Sequence, residues 1–149
     1  MATNKKRIKE KKHKKTNNNG KNISNTQVKG EDYNKRHGKI IFKNVNHHNK
    51  CKISKWQGNE LTSLIDCFKK IESLTWDEIF KDDGLNWERN ANIAIQLPTN
   101  FPTDAKLYSM RVSKKMRIYG YRSEEYFCII WFDRNHEVCP ENKAKKYIA

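Results

Sequence analysis

The sequence is short of acids, of glycine and of long apolar runs, and each shortage removes a class of protein. Seventeen Asp and Glu stand against 31 Lys and Arg in 149 residues, a formal net charge of +14. That imbalance calls for an anionic partner. The longest apolar run, Phe127 to Phe132, is six residues, far below the roughly 18 that a membrane span requires. No apolar run follows the basic start as an export signal would need, so the expectation is a soluble, cytoplasmic protein without a membrane partner. The six glycines form no phosphate-cradling loop, and no paired-carboxylate arrangement occurs, so nucleotide hydrolysis has no support. The four cysteines, Cys51, Cys67, Cys128 and Cys139, include no CxxC pair and are expected as reduced thiols. A zinc site would require His47, His48 and Cys51 to meet His136 and Cys139 across the chain. The expectation is therefore no metal and no cofactor.

The positive charge is concentrated at one end. Residues 1–36 hold twelve Lys and Arg against three acids, while the remaining residues hold nineteen against fourteen. Between Thr3 and Asn34 the only large apolar side chains are Ile8, Ile23, Val28 and Tyr33, too few to offset the entropy of ordering a chain. Residues 1–37 therefore read as a disordered basic tail, 38–140 as one domain and 141–149 as a basic C-terminal tail. Lys11, Lys12, Lys14 and Lys15 in the leader would displace counterions from phosphates and give affinity without sequence choice.

Within the domain, Lys39–Val45 reads as a first strand and Cys51–Trp56 as a second short one. Leu61, Leu64, Ile65, Phe68, Ile71 and Leu74 recur at helical spacing as one apolar stripe, with Asn59 as N-cap. Thr75 and Glu78 match a capping box opening a second helix, Trp76 to Lys81, which should stop at Asp82-Asp83-Gly84. Ala91 to Leu97 could extend before the loop bracketed by Pro98 and Pro102. Strands then follow at Ala105–Val112, Met116–Arg122 and Tyr126–Phe132. The fold class is α+β: an antiparallel meander with two N-terminal helices packed on one face.

The first hairpin can be registered from its side chains. With Ser113-Lys114-Lys115 as a three-residue loop, Val112 opposes Met116 and Met110 opposes Ile118 on an apolar face. Arg111 then opposes Arg117 on the other face, beside Ser109 and Tyr119; a slip of one residue would mix the two sets. Like charges directly opposite each other destabilise a sheet unless an anion sits between them. Phosphate suits the planar guanidinium fork, Tyr119 could stack a base, and Lys114 and Lys115 add attraction. Against this stands the common alternative that both arginines lie over the sheet or pair with Asp104 or Glu88. Beyond the last strand, Arg134 and His136 add a cation and a proton-transfer group. Arg111, Arg117, Arg134 and His136 are thus the candidate catalytic set for RNA cleavage, in which arginines steady the phosphate charge while other groups move protons at the 2′ and 5′ oxygens.

The stretch Met110-Arg111-Val112-Ser113-Lys114-Lys115-Met116-Arg117-Ile118, an apolar strand and then His136-Glu137-Val138-Cys139 resembles the C-terminal half of the RelE/ParE toxin superfamily. Arg117-Ile118-Tyr119-Gly120-Tyr121 and Ile130 to His136 also resemble a group of small bacterial and mobile-element proteins. The toxin resemblance covers residues 39–140 and implies a RelE-like fold, mRNA cleavage (often on the ribosome) or gyrase poisoning, and an antitoxin partner. Arg111 and Arg117 match that family's basic strand positions and His136 its C-terminal motif; Cys139 stands where Tyr is common. Three readings remain open: a metal-independent endoribonuclease toxin, a non-enzymatic binder of RNA, the ribosome or DNA, and a protein–protein interaction module.

Overall fold

A computed structural model describes residues 30–140. The leader lysines Lys11, Lys12, Lys14 and Lys15 and the tail at 141–149 lie outside the described residues. The chain divides after Asp32, and the unit from Tyr33 onward carries the helices and strands. Its regular structure starts earlier than Gly38. A 3₁₀ turn covers Tyr33–Lys35, His37 bridges Thr75, and the Trp76 amide donates to the Arg36 carbonyl at 3.0 Å. Residues 33–37, just ahead of the expected boundary, are thus held by a 3₁₀ turn and backbone pairing.

Two helices form where periodicity and capping chemistry coincide. Helix α1 covers Gly58–Ser73, and Glu60 Oε1 accepts from the Gln57 amide at 2.8 Å. The cap is thus Gln57 rather than Asn59. Only Leu64, Cys67 and Ile71 of this helix are buried, while Leu61 and Ile65 are exposed; the apolar stripe is wider than the face the sheet covers. Helix α2, Trp76–Lys81, opens on the expected box, with the Glu78 amide donating to Thr75 Oγ1 and the Thr75 amide to Glu78 Oε1. Trp76 and Ile79 are buried from it. No helix among the described residues is long and apolar enough to cross a membrane.

Five strands form one sheet: β1 (Lys39–Ile41), β2 (Glu88–Arg89), β3 (Tyr108–Arg111), β4 (Arg117–Ser123) and β5 (Tyr126–Asp133), in the order β1-β5-β4-β3-β2. The meander β3-β4-β5 is antiparallel, but β1 pairs with β5 in parallel. The sheet is therefore mixed, which corrects the all-antiparallel expectation. Cys51–Trp56 is not a strand; it holds a 3₁₀ turn at Ile53–Lys55. The segment 91–97 has no strand either, and the extra strand is the two-residue β2 just before it.

Both faces of the sheet are covered. On one, Leu64, Ile71, Trp76 and Ile79 from the helices meet Met110, Ile118, Phe127, Ile129 and Phe132. On the other, Tyr119, Ile130 and Trp131 pack with Cys51, Ile95, Leu107 and Val138, with Ile93, Leu97 and Phe101 at the margin. A central strand covered on both sides has no polar face to show, which explains the unbroken apolar run of β5. The ladder slips between Tyr119 and Gly120: Tyr119 pairs with Trp131 and Gly120 with Ile129. Ile130 is the surplus residue, so it and Trp131 enter the same cluster. Gly120 is required there, because a Cβ would be driven into the carbonyl of Cys128.

Candidate functional site

The hairpin register places the two arginines where the side chains said they would be. Met110 pairs with Ile118, Arg111 with Arg117 and Ser109 with Tyr119, and the Val112 amide donates to the Met116 carbonyl at 2.9 Å. Arg111 and Arg117 share a face and border a cleft of about 800 Å³. Ser109, Tyr119 and His136 border it too. The β3–β4 hairpin and the turn after β5 thus deliver Arg111, Arg117 and His136 to one place.

The two guanidinium groups are held differently. Arg117 Nη1 donates to the carbonyl oxygens of Ser113, Lys114 and Met116 at 2.9, 3.0 and 3.1 Å. That anchors the group over its own hairpin and fixes the loop backbone. Burial, and after it the charge of Arg111, lowers the affinity of Arg117 for its proton; Glu88 and Asp133 act the other way at longer range. Among the described residues no carboxylate comes within 4.0 Å of either guanidinium. Asp133 is the ladder partner of Arg117, yet its oxygens accept from the amides of Glu137 and Val138 at 2.8 and 2.9 Å. Burial raises the Asp133 pKa against the pull of those two bonds. Two facing cations without a close carboxylate make an electrostatic site for an oxyanion.

Asp133 also shapes the turn that carries His136. Its two accepted bonds close residues 133–138 into a tight loop, and His136 takes φ of 60° inside it, a conformation uncommon outside glycine. Among the described residues Nδ1 of His136 is enclosed and has no hydrogen-bond partner. The opposite wall of the cleft comes from the segment that sequence patterns did not resolve. Asn86, Glu88, Asn90 and Asn92 line it at alternate positions, with Asn86 in the left-handed region at φ 47° and Glu88 in β2. Asn90 Nδ2 donates to Ser109 Oγ at 2.8 Å, the Ala94 amide to the Val138 carbonyl at 2.8 Å, and the Cys139 thiol to the Asn92 carbonyl at 3.3 Å. These contacts tie that wall to β3 and to the His136 turn, and supply amide groups suited to polar ligand atoms.

Two expected members are not free for the roles expected of them. Tyr119 has 1% of its surface exposed and lies in the second core, so its ring has no free face on which to stack a base. Burial raises its hydroxyl pKa. Arg134 faces the helices, with Nε donating to Glu60 Oε1 at 2.7 Å. It borders a separate depression with Lys114, Lys115 and Asn135. Lys114 and Lys115 are exposed at the hairpin tip as expected. Among the described residues no three His, Cys, Asp or Glu side chains gather in a way that could hold a metal ion.

No family model, no curated protein and no solved structure matches this chain.

Proposed function

We propose that the protein binds nucleic acid and holds the phosphate backbone in the cleft at Arg111 and Arg117. The observation that carries this reading is the direct pairing of those residues across β3 and β4 with no carboxylate within 4.0 Å among the described residues. Such a pair weakens the empty sheet and gains when a phosphate enters between the two charges. The net charge of +14 supports the same reading, since counterion release drives association with any polyphosphate. RNA or the ribosome is the preferred target, reached in the cytoplasm.

A second reading is favoured by His136, which borders the same cleft. In RNA cleavage the imidazole would take the 2′-hydroxyl proton or return one to the departing 5′ oxygen, while the arginines steady the charge on the phosphorus centre. Kinship with RelE-like toxins, and with it an antitoxin partner, belongs to this reading; two helices ahead of the meander support it. Mapping transcript ends after induced expression tests it. New 5′ ends that vanish in His136→Ala and Arg117→Ala are expected of a nuclease. RNA binding with steep salt dependence and no new ends leaves a binding protein, and salt-independent or absent binding refutes both.

A further inference from the structure

We propose that a second subsite lies on the opposite face of the same sheet edge, an aromatic pocket that stacks one unpaired base of a single-stranded polynucleotide. It rests on the nucleic-acid reading and deepens it. Strand β2 is the sheet edge and only two residues long, with Glu88 opposite Ser109 and Arg89 opposite Tyr108. Successive side chains of a strand point to opposite faces. Glu88 and Ser109 therefore turn to the arginine cleft, and Arg89 and Tyr108 to the helix side. There a pocket of about 270 Å³ is walled by Phe80, Trp87 and Tyr108, with Asp104, Lys106 and Arg122 completing it. Its size falls below the ~300–1,000 Å³ typical of sites for drug-sized ligands and suits a single flat ring.

Aromatic rings cluster at this pocket. Trp87 and Tyr108 stack with centroids 4.3 Å apart and planes 12° from parallel, and Phe80 lies tilted 5.8 Å from Trp87. The Arg122 guanidinium sits 4.5 Å from the Trp76 ring and 5.4 Å from that of Phe80, bringing positive charge to the pocket. Phe80 keeps 39% of its surface exposed, and Lys106 and Arg89 are exposed as well. Aromatic faces interleaved with cations are how proteins hold single strands without reading sequence. Consecutive residues serve the two sites, Trp87 then Glu88 and Tyr108 then Ser109, so one strand crossing the short β2 edge reaches both within a few nucleotides.

The test compares oligothymidine with an abasic oligodeoxynucleotide of equal length, by fluorescence anisotropy, with oligouridine as the RNA arm. Wild type should prefer the base-bearing strand by roughly 5- to 150-fold, the worth of one stacked base. Phe80→Leu and Tyr108→Leu keep apolar bulk but remove the ring faces, and should abolish that preference without changing affinity for the abasic strand. Arg111→Gln should weaken both strands alike. Equal binding of both oligomers by wild type, or a preference that survives both leucine variants, overturns the stacking subsite while leaving the phosphate cleft standing. Failure of wild type to bind either strand removes the nucleic-acid reading itself. Should Tyr108→Leu not fold, the exposed Phe80→Leu decides, together with tryptophan fluorescence that oligothymidine should quench and the abasic strand should not.

Discussion

Replacing Arg111 with glutamine should move stability and binding in opposite directions. Arg111 and Arg117 are ladder partners on one face. As a general scale, two unit charges ~6 Å apart repel by roughly 0.7 kcal/mol in a water-like dielectric and about 3 kcal/mol at an effective dielectric of 20. Like charges opposed on exposed sheets cost about 0.2–1 kcal/mol once screening and side-chain freedom act. Arg111→Gln should therefore stabilise the empty protein by about 0.5 kcal/mol, a rise in Tm of roughly 2–4 °C for a domain of this size. The same change removes a charge-assisted contact worth about 1.5–3 kcal/mol, so affinity for a single-stranded oligonucleotide should fall roughly 10- to 150-fold. The slope of log K against log salt should shrink by about 0.7, one single-strand phosphate. Arg117→Gln should instead lower Tm, because that side chain also holds three carbonyls of its hairpin. Thermal unfolding without ligand and anisotropy titrations across salt read both effects. A drop in Tm for Arg111→Gln would expose a hidden internal partner, and an unchanged salt slope would remove Arg111 from the interface; either result refutes the reasoning.

Other expectations concern the core and its titrating groups. Gly120→Ala pushes a methyl group into the Cys128 carbonyl at the register slip and should cost about 2–3 kcal/mol or more, seen as a lowered urea midpoint. Burial raises the thiols of Cys51 and Cys67 to about 12 and raises Cys128 as well. A thiol reagent at pH 8 should therefore label Cys139 first in the native protein, and bound oligonucleotide should slow that labelling, since Cys139 borders the cleft. The Arg134 bond holds Glu60 below its ordinary 4.5, Thr75 does so for Glu78, and Lys70 holds Asp82 below 3.8. Depressed folded-state values mean that the stability these groups add is present above those pH values and lost as pH falls through the lowered ones. Asp133, raised by burial, works oppositely, gaining stability as it protonates. Urea midpoints between pH 6 and 3 should fall, and Glu60→Gln should flatten the fall.

The meander was legible because only one register keeps Met110, Val112, Met116 and Ile118 on a common face, and that register forces Arg111 against Arg117. The parallel pairing of β1 with β5 was not. Its three residues, Lys39–Ile41, meet Tyr126–Cys128 far along the chain, and alternation within either segment carries no information about such a partner. The clue lay in β5 itself. An unbroken apolar stretch with no polar side is the pattern of a strand with neighbours on both edges and layers on both faces.

The site divides along the same physical line. Alternation tells which face a side chain takes, but not whether another layer covers that face. Alternation puts Tyr119 on the face of Arg111 and Arg117, but residues 93–101 and Val138 close over it there. Arg134 fails for the complementary reason. It follows Asp133, whose carboxylate is buried on the cleft side, and one step along the backbone turns a side chain to the opposite face, where Glu60 of α1 accepts it. The missed wall had its own signal. Asn86, Glu88, Asn90 and Asn92 are polar at period two while Trp87 and Arg89 fall between them, the pattern of an extended segment with one polar face. The segment that resisted a helix or strand label thus carries the polar wall of the cleft on one parity and an aromatic and basic surface on the other. A short edge built so is suited to being crossed by a flexible anionic chain, because both parities then meet the same ligand.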